Sequence, residues 1–429
     1  MTEKKLAIVG GGAAGLMAAL HAAIHGCTDI VLLERHPRVG KKLLATGNGR
    51  CNLTNLYADA AHYHGASPAF CVPALEAFPP RAVMEIFHSV GVYGKVEDEG
   101  KVYPYSDQAS SVLDCLRAAC AETGCIEERC DFPVSAVVPE KDGFQISGGN
   151  GRLTARRVIV TTGGKAAPNL CSDGSGYPLM EALGHHTTAL FPSLVQLRTE
   201  NSVTRGLKGI KFSGAAAFLL DGRVIQTEAG EILFTEYGLS GPPIFALSRL
   251  AGECSSGENR PRKMEIALRL FPKKSERELC ALLTERKEQR PSVLLENYFT
   301  GLLQKRIGQE ILKGLGYAPL TRSVGTLQAP DLACVADRLN DWRFTVLGGH
   351  SFQNAQVTAG GIRTGEIDEK TMESRLHKGL YLAGELLDID GDCGGFNLQW
   401  AWSSGALAGR SAAEKGKTDA ENIGNQAGA

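Results

Sequence analysis

The chain has 429 residues, a formal charge of −1 at neutral pH and 43% hydrophobic residues, enough apolar material for a large core and more than one domain. So even a charge balance argues against a surface devoted to nucleic acid or anionic membrane. No apolar run reaches the roughly 18–20 residues of a spanning helix, and strand-like "LAIVG" follows "MTEKK" with no signal-peptide pattern, so the sequence predicts a cytoplasmic protein.

"LAIVGGGAAGLMAALHAA" predicts an apolar strand, a glycine turn and a helix. Gly10, Gly12 and Gly15 have the G-x-G-x-x-G spacing. The first permits a tight turn, the second lets a pyrophosphate approach the backbone, and the third lets helix and strand pack closely. Free N–H groups at the helix start, around Ala13 and Ala14, would face the phosphates. "DIVLLE" predicts a second strand ending in Glu34, 24 positions after Gly10, where an acid binds ribose hydroxyls. Arg35 beside it is assigned to the same site.

"GKKLLATGNGRCNLTN", Gly40 to Asn55, then offers glycines, asparagines and cations where a simple NAD domain would enter another helix. Such a loop brings backbone close to a long ligand, with Gly47 and Asn52 among its contacts. Lys41, Lys42 and Arg50 are candidates to balance a pyrophosphate. FAD matches this arrangement better than NAD. Cys51 reads as packing, since no second cysteine lies nearby. Among the twelve cysteines, Cys115, Cys120, Cys125 and Cys130 are spaced by five, about 140° apart on a helix, so they share no face. No Cys-x-x-Cys pair exists, and the cysteines are expected to be reduced and buried rather than metal-binding.

A helix is predicted over 80–91, a hairpin in "KVEDEGKVYPYS" and a second helix over 107–122. Short alternating strands with Asp142-Gly143 and Asn150-Gly151 turns form a meander from Phe132 to Gly164. From Pro192 the pattern changes. Residues 192–345 read as one insertion, β-rich over 192–272 and helical over 273–345, with a Ser-x-x-Glu capping box at Ser275. Residues 1–191 and 346–429 are then two parts of one cofactor-binding domain. "GLYLAGE" predicts a strand ending in Gly384-Glu385, whose acid suits a ribitol chain. Two glycines then open a helix whose N–H groups near Phe396, Asn397 and Leu398 would face the flavin's pyrimidine end and stabilise negative charge. Asp388, Asp390 and Asp392 resemble part of a calcium loop, but Asn397 stands where the glutamate ligand is required, so no metal is expected. Trp400 and Trp402 read as packing.

"GGGAAGLMAA", "GKKLLATGNGRCNLTN", "TTGGKAAP" and "GLYLAGELLDIDGDCGGFNLQWAWSSG" together resemble the bacterial HI0933-like flavoproteins, a family that includes a bile-acid Δ4,6-reductase and an aminoacetone oxidase. The resemblance runs from Leu6 to about Ala413. It implies an α/β, Rossmann-like FAD-binding domain of the two-dinucleotide-binding flavoprotein type, with a β-meander and an inserted β plus helical domain, the glycine–asparagine loop along the FAD, a backbone group of Val134 against the adenine and Gly163 near the cofactor. Relatives carry Thr-Gly-Asp-Gly where this chain has Asp173-Gly174-Ser175-Gly176, which puts the family aspartate's role in doubt. The activity implied is an NAD(P)H-linked reductase delivering hydride through FAD to an activated C=C of a hydrophobic substrate. An oxygen-using oxidase of small amines is the alternative, and a flavin-binding sensor a third. A single G-x-G-x-x-G unit leaves NAD(P)H to dock transiently. The substrate is a small molecule, lying where the insertion meets the flavin, and the chain is a monomer or homodimer. Tyr103, Tyr105, His64 and His350 are conceivable proton donors, each read first as structural.

Overall fold

The computed structural model describes residues 2–149, 151–200, 202–256 and 262–427, with side chains as far as 416; Asn150 of the Asn-Gly turn lies outside them. The chain divides into two compact units, one running to Phe191 and resuming at Ala355, the other spanning Pro192–Asn354.

The first unit is built on strands with long apolar runs. β1 (Thr2–Val9), β2 (Ile30–Leu33) and β10 (Gly151–Val160) lie parallel, Val9 opposite both Leu33 and Val160. Leu6 to Val9 and Ile30 to Leu33 are all buried, the continuous apolar pattern of a parallel sheet covered on both faces. β7 (Ile126–Arg129) extends the sheet beyond β2, and the strand Leu380–Leu382 pairs with the end of β10. β8 (Val134–Glu140) and β9 (Gly143–Gly148) turn back as the antiparallel meander beside β10. Among the described residues the sheet has seven strands.

Helix α1 (Ala13–Ile24) connects β1 to β2 and is buried along Ala14–Ala22. The C-terminal helix Phe396–Ala427 lies against it. A Cβ at Gly405 would stand 2.4 Å from the Ala14 carbonyl oxygen, and one at Gly409 2.2 Å from that of Ala18. Two glycines one turn apart therefore set the close approach of the helices. Trp400 and Trp402 are buried, and their indole N–H groups donate to Gly384 O and Leu53 O. Both are packing residues. Two short antiparallel sheets complete the site region: β3 (Thr54–Asn55) with β6 (Lys101–Pro104), which also pairs with β5 (Gly94–Val96), and β4 (Tyr63–His64) with the strand Asp390–Gly391.

The second unit contains a closed barrel of six strands among the described residues, in the order Leu197–Thr199, Gly238–Ser240, Arg223–Phe234, Lys211–Leu220, Met264–Arg269 and Trp342–Gly349. Phe218, Phe234, Trp342 and Phe344 belong to its core. Helices Glu276–Gln289, Lys305–Gly314 and Ala329–Asn340 contribute Leu279, Ile307, Leu332 and Val335 to the same core. The first begins at the Ser275–Glu278 capping box. No helix among the described residues is long and apolar enough to cross a membrane.

Candidate cofactor site

The glycine turn after β1 is shaped by three contacts. Gly10 has a φ of +107°, and a Cβ there would stand 2.6 Å from Thr161 O. A Cβ at Gly15 would fall 1.9 Å from Gly10 O, so only glycine lets α1 start so close to β1. Gly12, the residue before α1, faces open space: an added Cβ would meet no atom within 4 Å. Unsatisfied N–H groups and room for an anion therefore coincide there. Gly11 was not singled out by spacing alone. A Cβ there would meet Val39 at 2.4 Å, and its N–H donates to Glu34 Oε2 at 2.9 Å.

Glu34 also accepts from the His36 N–H at 3.0 Å. Two backbone donors thus hold the carboxylate in place, with lone pairs left for a diol. The Phe132 N–H donates to Glu34 O, which brings the start of β8, and Val134, to the same end of the sheet. Arg35 is drawn onto Asp173 at 2.6 Å and onto Ser175 Oγ. The aspartate that departs from the family pattern is therefore the partner of Arg35.

In the Gly40–Asn55 loop, Gly47 and Asn48 are left-handed within a 3-10 turn, and Gly49 and Cys51 also have positive φ. The chain here is folded tightly enough that a Cβ at Gly47 would stand 2.7 Å from the Asn52 N–H nitrogen. Arg50, expected to balance a pyrophosphate, instead donates to Glu97 and Asp107 and covers the Tyr103 ring at 4.0 Å. Its guanidinium holds the Glu97 carboxyl, and Lys95 with Arg50 the Asp107 carboxyl, below the usual range. Lys42 pairs with Glu385 Oε2 at 2.7 Å, while Glu385 Oε1 accepts from the Thr358 N–H. This pair ties the loop to the end of strand Leu380–Leu382. Cys51 is fully buried, and burial pushes its thiol up to about 12, so it has no thiolate chemistry near neutral pH.

Gly384, with φ +76°, lies against the Ala14 side chain and donates to Ser404 Oγ. Gly394 and Gly395, both at positive φ, lead into the C-terminal helix. Phe396 is buried, its carbonyl accepting from Tyr63 Oη, and Leu398 packs against the core. Asn397 exchanges hydrogen bonds with Gly391, from its N–H and to its carbonyl, and also donates to Asp392 O. It fixes the loop rather than leaving its amide free. Asp388 accepts from the Ala66 N–H. His350 lies in the second unit beside Asn354 and Tyr237, and Tyr105 is exposed.

Two observations fit an extended dinucleotide. Asn52 is 8% exposed and its Oδ1 is buried without a partner; leaving such an acceptor unmet costs about 1–3 kcal/mol, which a donor on a bound dinucleotide would offset. In addition, Ala14 at the start of α1 meets Gly405, nine residues into the C-terminal helix. At about 1.5 Å per residue the two helix starts are separated by about 14 Å of helix, a span for pyrophosphate at one end and a ring system at the other.

The fold and this cradle define a flavin-dependent oxidoreductase with a Rossmann-type FAD-binding domain. The chain belongs to the HI0933-like family, matching the HI0933-like protein Rossmann domain over residues 4–411. It is 37% identical over 412 residues to the 3-dehydro-bile acid delta(4,6)-reductase of Clostridium scindens, covering 96% of this chain and 99% of that one. It is 30% identical to the ribosomal RNA dihydrouridine synthase of Escherichia coli, covering 92% and 95%. In fold it is similar to the 3-ketosteroid delta1-dehydrogenase of Sterolibacterium denitrificans, with a TM-score of 0.51, 13% identity and coverage of 97% and 100%.

Proposed function

We propose that the chain is an NAD(P)H-linked, FAD-dependent reductase that saturates a C=C bond conjugated to a carbonyl in a hydrophobic, steroid-like small molecule. The observation behind this reading is the 37% identity, over nearly all of both chains, to a protein named a 3-dehydro-bile acid delta(4,6)-reductase. The relative named a dihydrouridine synthase points to the same bond change, a C=C becoming a C–C. A small molecule rather than RNA is favoured by charge. Arg35, Arg50, Lys95 and Lys101 around the cradle are each paired with carboxylates, and the whole chain carries −1.

In this reading the N–H groups at Gly12 and Ala13 hold the pyrophosphate, with Gly163 alongside. Glu34 takes the adenosine ribose, and the Val134 backbone the adenine. The Lys42–Glu385 pair would hold the ribitol, and Asn52 Oδ1 would accept from a ring N–H. The N-terminus of the C-terminal helix, at Phe396, places partial positive charge where the reduced ring is negative. Bound FAD supplies the hydride chemistry; the chain supplies placement and electrostatics.

Glu34→Ala removes a charged acceptor of ribose hydroxyls, a contribution of about 1.5–3 kcal/mol, so FAD should bind roughly 10- to 100-fold more weakly. Fluorescence titration of the flavin-free protein reads this directly, and an unchanged Kd would place the ribose elsewhere. The reading as a whole is tested by anaerobic mixing with NADH or NADPH. Rapid bleaching of the oxidised-flavin absorbance is expected. Absence of bleaching with either donor, together with peroxide formed from a small aminoketone in air, would make the protein an oxidase.

A further inference from the structure

Saturating an enone takes one hydride and one proton, and the residues assigned above supply no proton. Three side chains elsewhere in the first unit are arranged to do so. The pairing of β4 with Asp390–Gly391 sets His64 opposite Asp390, and the Asp392 N–H donates to His62 O. The Asp392 carboxylate then lies between two imidazoles, with His62 Nδ1 at 3.0 Å from Oδ2 and His64 Nε2 at 2.8 Å from Oδ1. The His62 ring stacks on Phe396 at 4.4 Å and 21°, the first residue of the helix whose N-terminus the proposed function sets against the flavin ring. Both imidazoles remain about one-third exposed, at 35% and 34%. We propose that His62 donates the proton that completes C=C saturation, with Asp392 and His64 as positioning residues.

The step balances as follows. Bound FAD, once reduced, would supply hydride to the carbon β to the carbonyl, whose π pair would move onto the carbonyl oxygen. The His62 Nε2–H bond then breaks as a C–H bond forms at the α carbon, restoring the carbonyl. His62 takes a new proton from water, and the flavin is re-reduced by a nicotinamide donor. Asp392 suits its part. Burial raises its carboxyl, but the hydrogen bonds from His64 and His62 outweigh burial and leave it below the usual range, so it stays ionised as the acceptor that holds both rings. Titratable groups around the pair include Asp59, which caps the turn before Tyr63, Tyr63 itself, and Cys393, with Lys101 and Glu99 beyond it. Burial raises both the Cys393 thiol and the Tyr103 hydroxyl, making each a poor donor.

This inference rests on the reductase reading, and its test separates the two. Histidine carbethoxylation, mapped by mass spectrometry on the full chain without and with FAD, should fall at least about 5-fold at His62 on loading. Exposed His88 and His186 should not change. In the FAD-loaded protein, His62→Gln should be reduced by NAD(P)H within about 2-fold of the parent rate. Its reoxidation by a 3-oxo-Δ4 steroid should slow by about 10²–10⁴-fold, the range of general acid catalysis. Asp392→Asn should keep FAD affinity and leave reduction by NAD(P)H within about 2-fold while slowing reoxidation by the enone, and Asp392→Glu, which restores a carboxylate acceptor, should recover part of that loss. Unprotected His62, or normal reoxidation of His62→Gln, overturns the donor assignment and leaves the reductase reading standing. A parent protein that no enone reoxidises overturns that reading, while the protection experiment still judges the position of His62.

Discussion

Replacing Gly405 with valine is expected to weaken FAD binding by about 100-fold and to lower the melting temperature of the first unit. The Cβ of any residue other than glycine would stand 2.4 Å from the backbone oxygen of Ala14, and backbone, unlike a flexible side chain, cannot swing aside. Overpacking a core typically costs about 1–3 kcal/mol. A clash of two helix backbones belongs at the upper end, and about 3 kcal/mol is roughly 100-fold in affinity. The loss reaches the cofactor because Ala14 is the second residue of the helix whose start is proposed to hold the pyrophosphate. Gly405→Ala makes the sign diagnostic. In an unconstrained helix, alanine in place of glycine stabilises by about 1 kcal/mol; here it should destabilise. A raised melting temperature for Gly405→Ala would show that the helices separate at no cost.

The second large effect is on acid stability. His21 lies in α1 at 5% exposure, with both ring nitrogens buried and unpartnered. Phe78 packs edge-on at 4.9 Å. Burial, reinforced by His25 and Arg410, pulls its pKa from 6.5 down to about 4. The unfolded chain therefore binds a proton that the folded chain refuses between those values. Stability from this site is complete above pH 6.5 and is lost as pH falls toward 4, by about 3 kcal/mol at about 1.4 kcal/mol per pH unit. His21→Leu should flatten that part of the profile. Denaturant unfolding followed by Trp400 and Trp402 fluorescence at neutral pH and at pH 5 measures it. Equal losses in parent and variant would mean that other groups govern acid unfolding.

The cofactor half of the site was legible where local backbone geometry makes the demand. Gly10, Gly12 and Gly15 each answer to a constraint within the β1–α1 turn or to open space beside it, and their spacing states as much. Glu34 was legible because β2 ends there. What the sequence could not show depends on partners far along the chain. Arg35 meets Asp173, Lys42 meets Glu385, and Arg50 is committed to Glu97 and Asp107 rather than to phosphate. The Gly405 and Gly409 contacts were hidden for the same reason, since glycines inside a helical pattern acquire meaning only against Ala14 and Ala18. His64 was visible as an isolated imidazole, but its shared carboxylate with His62 required the pairing of strands more than 300 positions apart. Alternating strands in the 192–272 segment predicted a β-rich unit; that six strands close into a barrel, the last from Trp342 on, follows from pairings that periodicity does not encode.

The most direct measurement of the central claim is a single turnover in the oxidative direction. Protein loaded with FAD is photoreduced without oxygen and mixed with a 3-oxo-Δ4,6 bile acid. Reductase function predicts that the oxidised-flavin absorbance returns in step with one equivalent of product bearing a saturated C–C bond. Flavin that stays reduced with every enone, yet reoxidises with a uridine-containing ribosomal RNA fragment or only with oxygen, would contradict it.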